Sequence, residues 1–330
     1  MCGEIGVAAA AASASMSLVL MGFLYAAQSV SSELPEGPGI AAGYPGDQGI
    51  EHDPAVVFLD GFETTDTGRL PDGYHKGGNT KWDNMWGGCV VTEEPENVHS
   101  GKKAVQMTVV RTGSSEAGGL ALEKFFEEGF DTLFFRYYAK FEKNAELYHG
   151  GAHNGGRIAA VAVGAPPTAP GIRADGSNQF IVRLDSWRPQ EEIPSPGHLV
   201  LYVYHMAQAG RWGDQFFPSG KVIPPGREPF GEEFVPRPDF IPEQDRWYCY
   251  ELMVKTNTPG RRDGQLAFWV DGRLIGHFPN IRLRSVSALK ADRLQLAIYT
   301  HNRRVQKDVT MWYDDAVAAT SYIGPQVTGE

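Results

Sequence analysis

The chain has 330 residues, 42% hydrophobic and 21% charged, so it can build a large core and is not a disordered polymer. Its 39 glycines and 22 prolines favour a turn-rich β protein over a helical one. A formal net charge of −10 without a basic stripe speaks against nucleic-acid binding, although a local cationic cleft can sit on an acidic protein.

An apolar stretch occupies residues 16–27 (MSLVLMGFLYAA) and ends in small residues. A bilayer span needs roughly 20 apolar residues, so residues 1–27 read as a signal peptide or N-terminal anchor. Glu4 stands where such a leader usually has Lys or Arg. Residues 28–54 are rich in Gly, Pro and Ser and read as a flexible linker. Residues 55–330 are then the folded domain, expected to be secreted (extracellular or periplasmic), monomeric and not inserted in a membrane. Cys89 and Cys249 leave two readings open in an oxidising compartment: a disulfide, or two separate buried thiols.

From Val56 the chain becomes short alternating runs bounded by Gly, Pro and Asp, the signature of strands. They are VVFLDGFE (56–63), KAVQMTVV (103–110), TLFFRYYAKF (132–141), NQFIVRLDSW (178–187) and HLVLYVYHM (198–206). WYCYELMVK (247–255), QLAFWVDG (265–272), RLQLAIYTH (293–301) and VTMWYDDAVAA (309–319) follow. Asp271–Gly272 predicts a two-residue hairpin, because a type I′ turn needs positive φ at both central positions. No long amphipathic helix and no repeat interrupts the series, so the fold class is all-β, a jelly-roll sandwich of two antiparallel sheets. Two Pro- and Gly-rich stretches, 164–176 and 210–245, predict long loops that wall a groove.

Alternate side chains of a strand face opposite sides. That parity puts Arg136, Tyr138 and Lys140 on one face of their run, and Gln179, Arg183, Asp185 and Trp187 on one face of theirs. Tyr202 and Tyr204 oppose Leu201 and Val203; Gln295, Tyr299 and His301 oppose Leu294, Leu296 and Ile298. A merely solvated face would be richer in Lys, Glu, Ser and Thr. Aromatic and guanidinium groups suit ligand contact, since sugar rings stack on aromatics and Arg forks onto carboxylates.

Glycoside hydrolysis normally needs two carboxylates flanking the bond. Here Asp185 and Glu251 are available, without a tight acidic cluster on any strand. β-Elimination on a uronate fits better: an Arg stabilises the charge that develops on the carboxylate, and a Tyr pair supplies base and acid. A neighbouring Arg is expected to favour the phenolate.

Arg183-x-x-x-Trp187, the Tyr202-x-Tyr204 pair, Trp247, and the string Asn257–Gly260, Asp263–Gly264 and Trp269–Gly272 together resemble family-14 polysaccharide lyases over roughly residues 133–318. The resemblance implies a concanavalin A-like jelly roll acting on alginate- or glucuronan-like polymers, with an acidic polysaccharide as partner. It implies Arg183 as the carboxylate neutraliser and Tyr202 and Tyr204 as base and acid. Where the family carries Lys in a Gly-Gly-Lys-Leu-Pro-Gly segment, this chain reads His149-Gly-Gly-Ala-His153-Asn-Gly-Gly, and the small polar residue two before the Arg is Ile181. His149 and His153 are candidate catalytic or substrate-binding groups, a metal pair, or plain loop residues. No cofactor is expected for the chemistry. A structural Ca2+ is an expectation at Glu63, Asp314 and Asp315, where the first and last strands meet, helped by carbonyls near residues 100–103; the alternative is acids that decorate strand ends. A non-catalytic carbohydrate-binding protein and a glycoside hydrolase are the competing functions.

Overall fold

A computed structural model describes residues 1, 33–65, 68–69, 82–84, 88–111, 117–147, 153–162, 171–226, 230–301 and 307–328. Apart from Met1, the expected leader lies outside the described residues. The compact body spans Pro35–Glu330.

Among the described residues the strands are β1 (Val56–Asp60), β2 (Gly68–Arg69), β3 (Asp83–Asn84), β4 (Val90–Thr92), β5 (Ala104–Val109), β6 (Ala117–Phe130), β7 (Thr132–Phe141) and β8 (Gly155–Val161). They continue as β9 (Gln179–Trp187), β10 (His198–Tyr204), β11 (Asp214–Phe216), β12 (Val222–Ile223), β13 (Tyr248–Lys255), β14 (Gly264–Val270), β15 (Arg273–Ile281), β16 (Ala291–His301) and β17 (Val309–Ala319). Sheet I runs β15-β14-β13-β7-β17-β5-β4-β2, with β1 also on β17; sheet II runs β12-β11-β10-β9-β8-β16-β6-β3. Pairing is antiparallel throughout, as a jelly-roll sandwich requires.

Alternation explains the layering. From sheet I, Phe135, Tyr137, Leu252, Phe268 and Tyr313 point into the core; from sheet II, Phe180, Val182, Leu184, Leu201, Val203, Leu294 and Leu296 meet them. Each such side chain contributes about 1.5–3 kcal/mol on burial. The predicted hairpin is present: Asp271 has φ 49° and Gly272 φ 75°. Asn257, in the most distinctive string of the sequence, is a fold residue. Its side chain donates to the carbonyls of Thr258, Arg261 and Arg284 and accepts from the N–H groups of Leu283 and Arg284.

Two expectations change, and the open choice at the cysteines is settled. Residues 35–54 are not a free linker: Trp269 Nε1 donates to the Pro35 carbonyl at 2.8 Å, and Gly37 N–H to the Gly272 carbonyl at 2.8 Å. Residues 210–245 are not all loop, because β11 and β12 extend sheet II beyond β10. Cys89 and Cys249 are both buried and form no disulfide with each other. Cys89 lies in the core between the sheets, whereas Cys249 has the opposite parity to the core residues Tyr248 and Tyr250.

Two tyrosines of sheet I tie the sandwich together beneath β8 and β16. Tyr137 Oη accepts from Gly156 N–H at 2.8 Å, and Tyr313 Oη donates to the Ala297 carbonyl at 2.6 Å. The close approach requires glycine: a Cβ at Gly156 would sit 2.3 Å from Tyr137 Cε1, and one at Gly155 2.3 Å from the Leu184 carbonyl oxygen. Overpacking of this kind costs about 1–3 kcal/mol. Gly156→Ala is therefore expected to lower stability by that amount in chemical denaturation; an unchanged midpoint would show that the contact relaxes freely.

Candidate functional site

The outward face of sheet II carries a row of polar side chains in register. Gln215 on β11 lies opposite Tyr202 on β10, Tyr202 opposite Arg183 on β9, Arg183 opposite Arg157 on β8, Arg157 opposite Gln295 on β16, and Gln295 opposite Glu123 on β6. Sequence parity identified Arg183, Tyr202 and Gln295. It missed Arg157, Glu123 and Gln215 because β6, β8 and β11 were not recognised as strands. The alternating Arg157, Ala159 and Val161 of GGRIAAV were the available signal.

Arg183 is 4% exposed. Its Nη2 donates to Gln295 Oε1, while Nη1 has no hydrogen-bond partner in the described structure. Arg157 is ion-paired with Glu123, yet its Nε is likewise without a partner. Burial lowers the pKa of both guanidiniums, that of Arg157 to about 10, against the attraction of Glu123 and aggravated by Arg183 beside it. Each of these desolvated cations thus keeps an unfilled donor, which is costly without a partner.

The tyrosine pair is adjacent, with Tyr202 Oη donating to Tyr204 Oη at 3.3 Å and the rings edge-on. Gly213 N–H donates to Tyr202 and Gly171 N–H to Tyr204. Tyr204 is 2% exposed, packed with Ala159, Ala174 and Ile181, so Tyr202 is the half-buried member that meets solvent. The expected phenolate character does not appear at Tyr202. Burial, then the hydrogen bond to Tyr204, push its pKa up and hold it as the phenol.

His153 joins this group. Its Nδ1 lies 3.0 Å from Asp185 Oδ2, and its ring stands 5.3 Å from the rings of both Tyr202 and Tyr299. Asp185 is fully buried and also accepts from Asn154 N–H. Burial pushes the Tyr299 phenol up as well. Gln179 is on the same face but donates to the Ile172 carbonyl, fastening the segment over Tyr204. Trp187 ends the row of β9, edge-on to Phe217. His149 and the side chain of His301 lie outside the described residues.

Other candidates are elsewhere. Arg136, Tyr138 and Lys140 do share a face, but on sheet I. Arg136 is fully buried in an ion pair with Asp47 and donates to the carbonyls of Asp315 and Gly324. Tyr138 stacks on His99 and accepts from Gln326 N–H; Lys140 donates to the Glu96 carbonyl and Asn97 Oδ1. Parity groups residues within a strand and cannot say which sheet they join. Glu251 is also on sheet I, holding the N–H groups of Ile323 and Gly324 at 2.8 Å each. It therefore does not pair with Asp185 across a glycosidic bond.

The expected calcium ligands accept hydrogen bonds from the 99–103 segment. Asp314 accepts from the N–H groups of His99 and Ser100, Asp315 bonds His99 Nδ1 and Ser100 Oγ, and Glu63 accepts from the N–H groups of Lys102 and Lys103. The 99–103 segment thus turns its N–H groups, not carbonyls, toward these acids, which does not fit Ca2+. Burial and the neighbouring Asp315 push Asp314 up to about 9. Among the described residues no group of three or more His, Cys, Asp or Glu side chains is placed to hold a metal. No helix among them is long and apolar enough to cross a membrane.

No protein-family model matches the sequence, and no curated protein does. Solved structures do. The alginate lyase Aly36B aligns at 17% identity with a TM-score of 0.52, over 83% of this chain and 98% of that one. A variant of the same lyase in complex with alginate trisaccharide aligns at 19% identity and TM-score 0.52, over 80% and 98%. An endo-β-1,4-glucuronan lyase from the fungus Trichoderma reesei aligns at 17% identity and TM-score 0.47, over 78% and 98%. The chain has a lyase-like jelly-roll fold.

Because Arg136 is a structural cation, Asp47→Ala, which strands it in the interior, is expected to cost about 3–5 kcal/mol. Any polymer binding that wild type shows should persist in the folded variant. A loss of binding at temperatures where the fold persists would return Arg136 to the site.

Proposed function

We propose that the protein is a polysaccharide lyase that cleaves a uronate-containing polymer by β-elimination. The observation that carries this reading is the unfilled Nη1 donor of buried Arg183, directly opposite Tyr202 on the neighbouring strand. A uronate carboxylate on this face would meet the Arg183 guanidinium, with Arg157 directly opposite it on the neighbouring strand. The proton at C5 becomes removable only when the charge developing on that carboxylate is stabilised, which two guanidiniums in a desolvated site do well. Tyr202, kept as a phenol by burial, is suited to protonate the oxygen that leaves C4. Tyr204, under its cover, holds the Tyr202 hydroxyl in place. The alginate trisaccharide bound to a protein of similar fold supports a polysaccharide ligand.

The test is absorbance of the unsaturated uronate product on alginate, glucuronan and other acidic polymers. Wild type should produce it on at least one. Arg183→Ala should lower kcat by about 10²–10³, the usual loss on removing one donor to a developing oxyanion. Tyr202→Phe should bind the polymer with little turnover. Reducing ends without the chromophore would mean hydrolysis, and binding by wild type without either product would mean a binding protein; both overturn the lyase reading.

A further inference from the structure

The lyase reading needs a base to take the C5 proton, and Tyr202, held as a phenol, is poor in that role. Among the described residues, His153 is a proton acceptor placed beside it. Its ring is set between Tyr202 and Tyr299, and its side chain keeps about a quarter of its surface exposed, 26%. Its Nδ1 edge faces Asp185, which is fully enclosed, and the Asn154 N–H takes the other carboxylate oxygen at 3.2 Å.

The two nitrogens of imidazole have opposite tasks. A carboxylate at Nδ1 requires the proton there, which leaves the lone pair at Nε2, on the ring edge away from Asp185. We propose that Asp185 is a positioning residue that holds His153 as the Nδ1–H tautomer, so that Nε2 is the base of the elimination. The proposal rests on the lyase reading. In the step, the C5–H proton moves to Nε2 and its electron pair becomes the C4=C5 double bond. The C4–O bond breaks, and the leaving oxygen takes the Tyr202 proton. Solvent then returns a proton from His153 to Tyr202.

A second pair shows what a structural arrangement looks like. His205 Nε2 is 3.0 Å from Asp214 Oδ2, but both side chains are closed off, at 3% and 4%, and Asp214 also holds Ala209 N–H. That pair pins the turn after β10 and offers no open nitrogen edge. His153 does.

The charges around His153 set its pH behaviour. Burial lowers its pKa; Asp185 raises it; Arg183 and Arg157 lower it, and the phenols of Tyr202 and Tyr299 flank it uncharged. The base must be neutral to act, so the acidic limb of kcat/KM reports its pKa. Replacing Asp185 with Asn removes the one contribution that raises it.

The experiment has two readouts on the full chain. Nitrogen-15 NMR of wild type, with the His153 signals assigned by loss in His153→Gln, should show the proton on Nδ1; a proton on Nε2 overturns the proposal whatever the activity. In pH–rate profiles, Asp185→Asn should lower kcat at least tenfold and shift the acidic limb of kcat/KM to lower pH. His153→Gln should lose about 10²–10⁴ in kcat while keeping polymer affinity. An unmoved limb in Asp185→Asn, or turnover retained in His153→Gln, also overturns it. If wild type cleaves nothing, the lyase reading fails while the tautomer measurement still decides the state of His153.

Discussion

Two guanidiniums side by side on one sheet face are the constraint around which the site is built. Arg183 and Arg157 lie directly opposite each other on β9 and β8, and both are more than nine-tenths buried. Like charges out of water repel, and each needs compensation. Glu123 supplies it for Arg157 and Gln295 for part of Arg183, while Asp185 stands two positions along the same strand face. One donor on each guanidinium is left over. In the proposed function a ligand carboxylate completes the arrangement, which an uncharged sugar would not do.

That face stays polar because the opposite one is saturated with apolar contacts. Phe180, Val182 and Leu184 leave Arg183 and Asp185 nowhere to point but outward. The floor is stiffened from below, where Tyr137 and Tyr313 bond the backbones of β8 and β16. It is fastened from the side by Gly171 and Gly213, whose N–H groups hold the two phenol oxygens. Geometry at the site is therefore set by the sandwich together with the loop backbone at Gly171 and Gly213.

Much of the fold was legible, because strands with one apolar face announce themselves by alternation. β9, β10 and β16 were placed correctly, and Arg183, Tyr202 and Gln295 fall in register on one face. β8 escaped because Gly155, Gly156, Ala159 and Ala160 give little contrast between faces, and with it went Arg157. β7 alternates as clearly as β9, yet its outward side is covered by the chain's own termini: Asp47 reaches Arg136, and Gln326 N–H reaches Tyr138. A pattern of period two identifies a polar face but not what covers it. The acids at the strand ends were legible as a cluster, whereas the direction of the amides around them depends on the 99–103 backbone. His153 was visible as a residue; its link to Asp185, 32 positions away, required the register of β8 on β9.

The most direct test is the crystal structure of the Tyr202→Phe variant with a uronate oligosaccharide. A sugar carboxylate should lie within hydrogen-bond distance of Arg183 Nη1, with C5 of that sugar facing His153 Nε2. An oligosaccharide bound away from Arg183, or bound there with its carboxylates turned to solvent, would contradict the account.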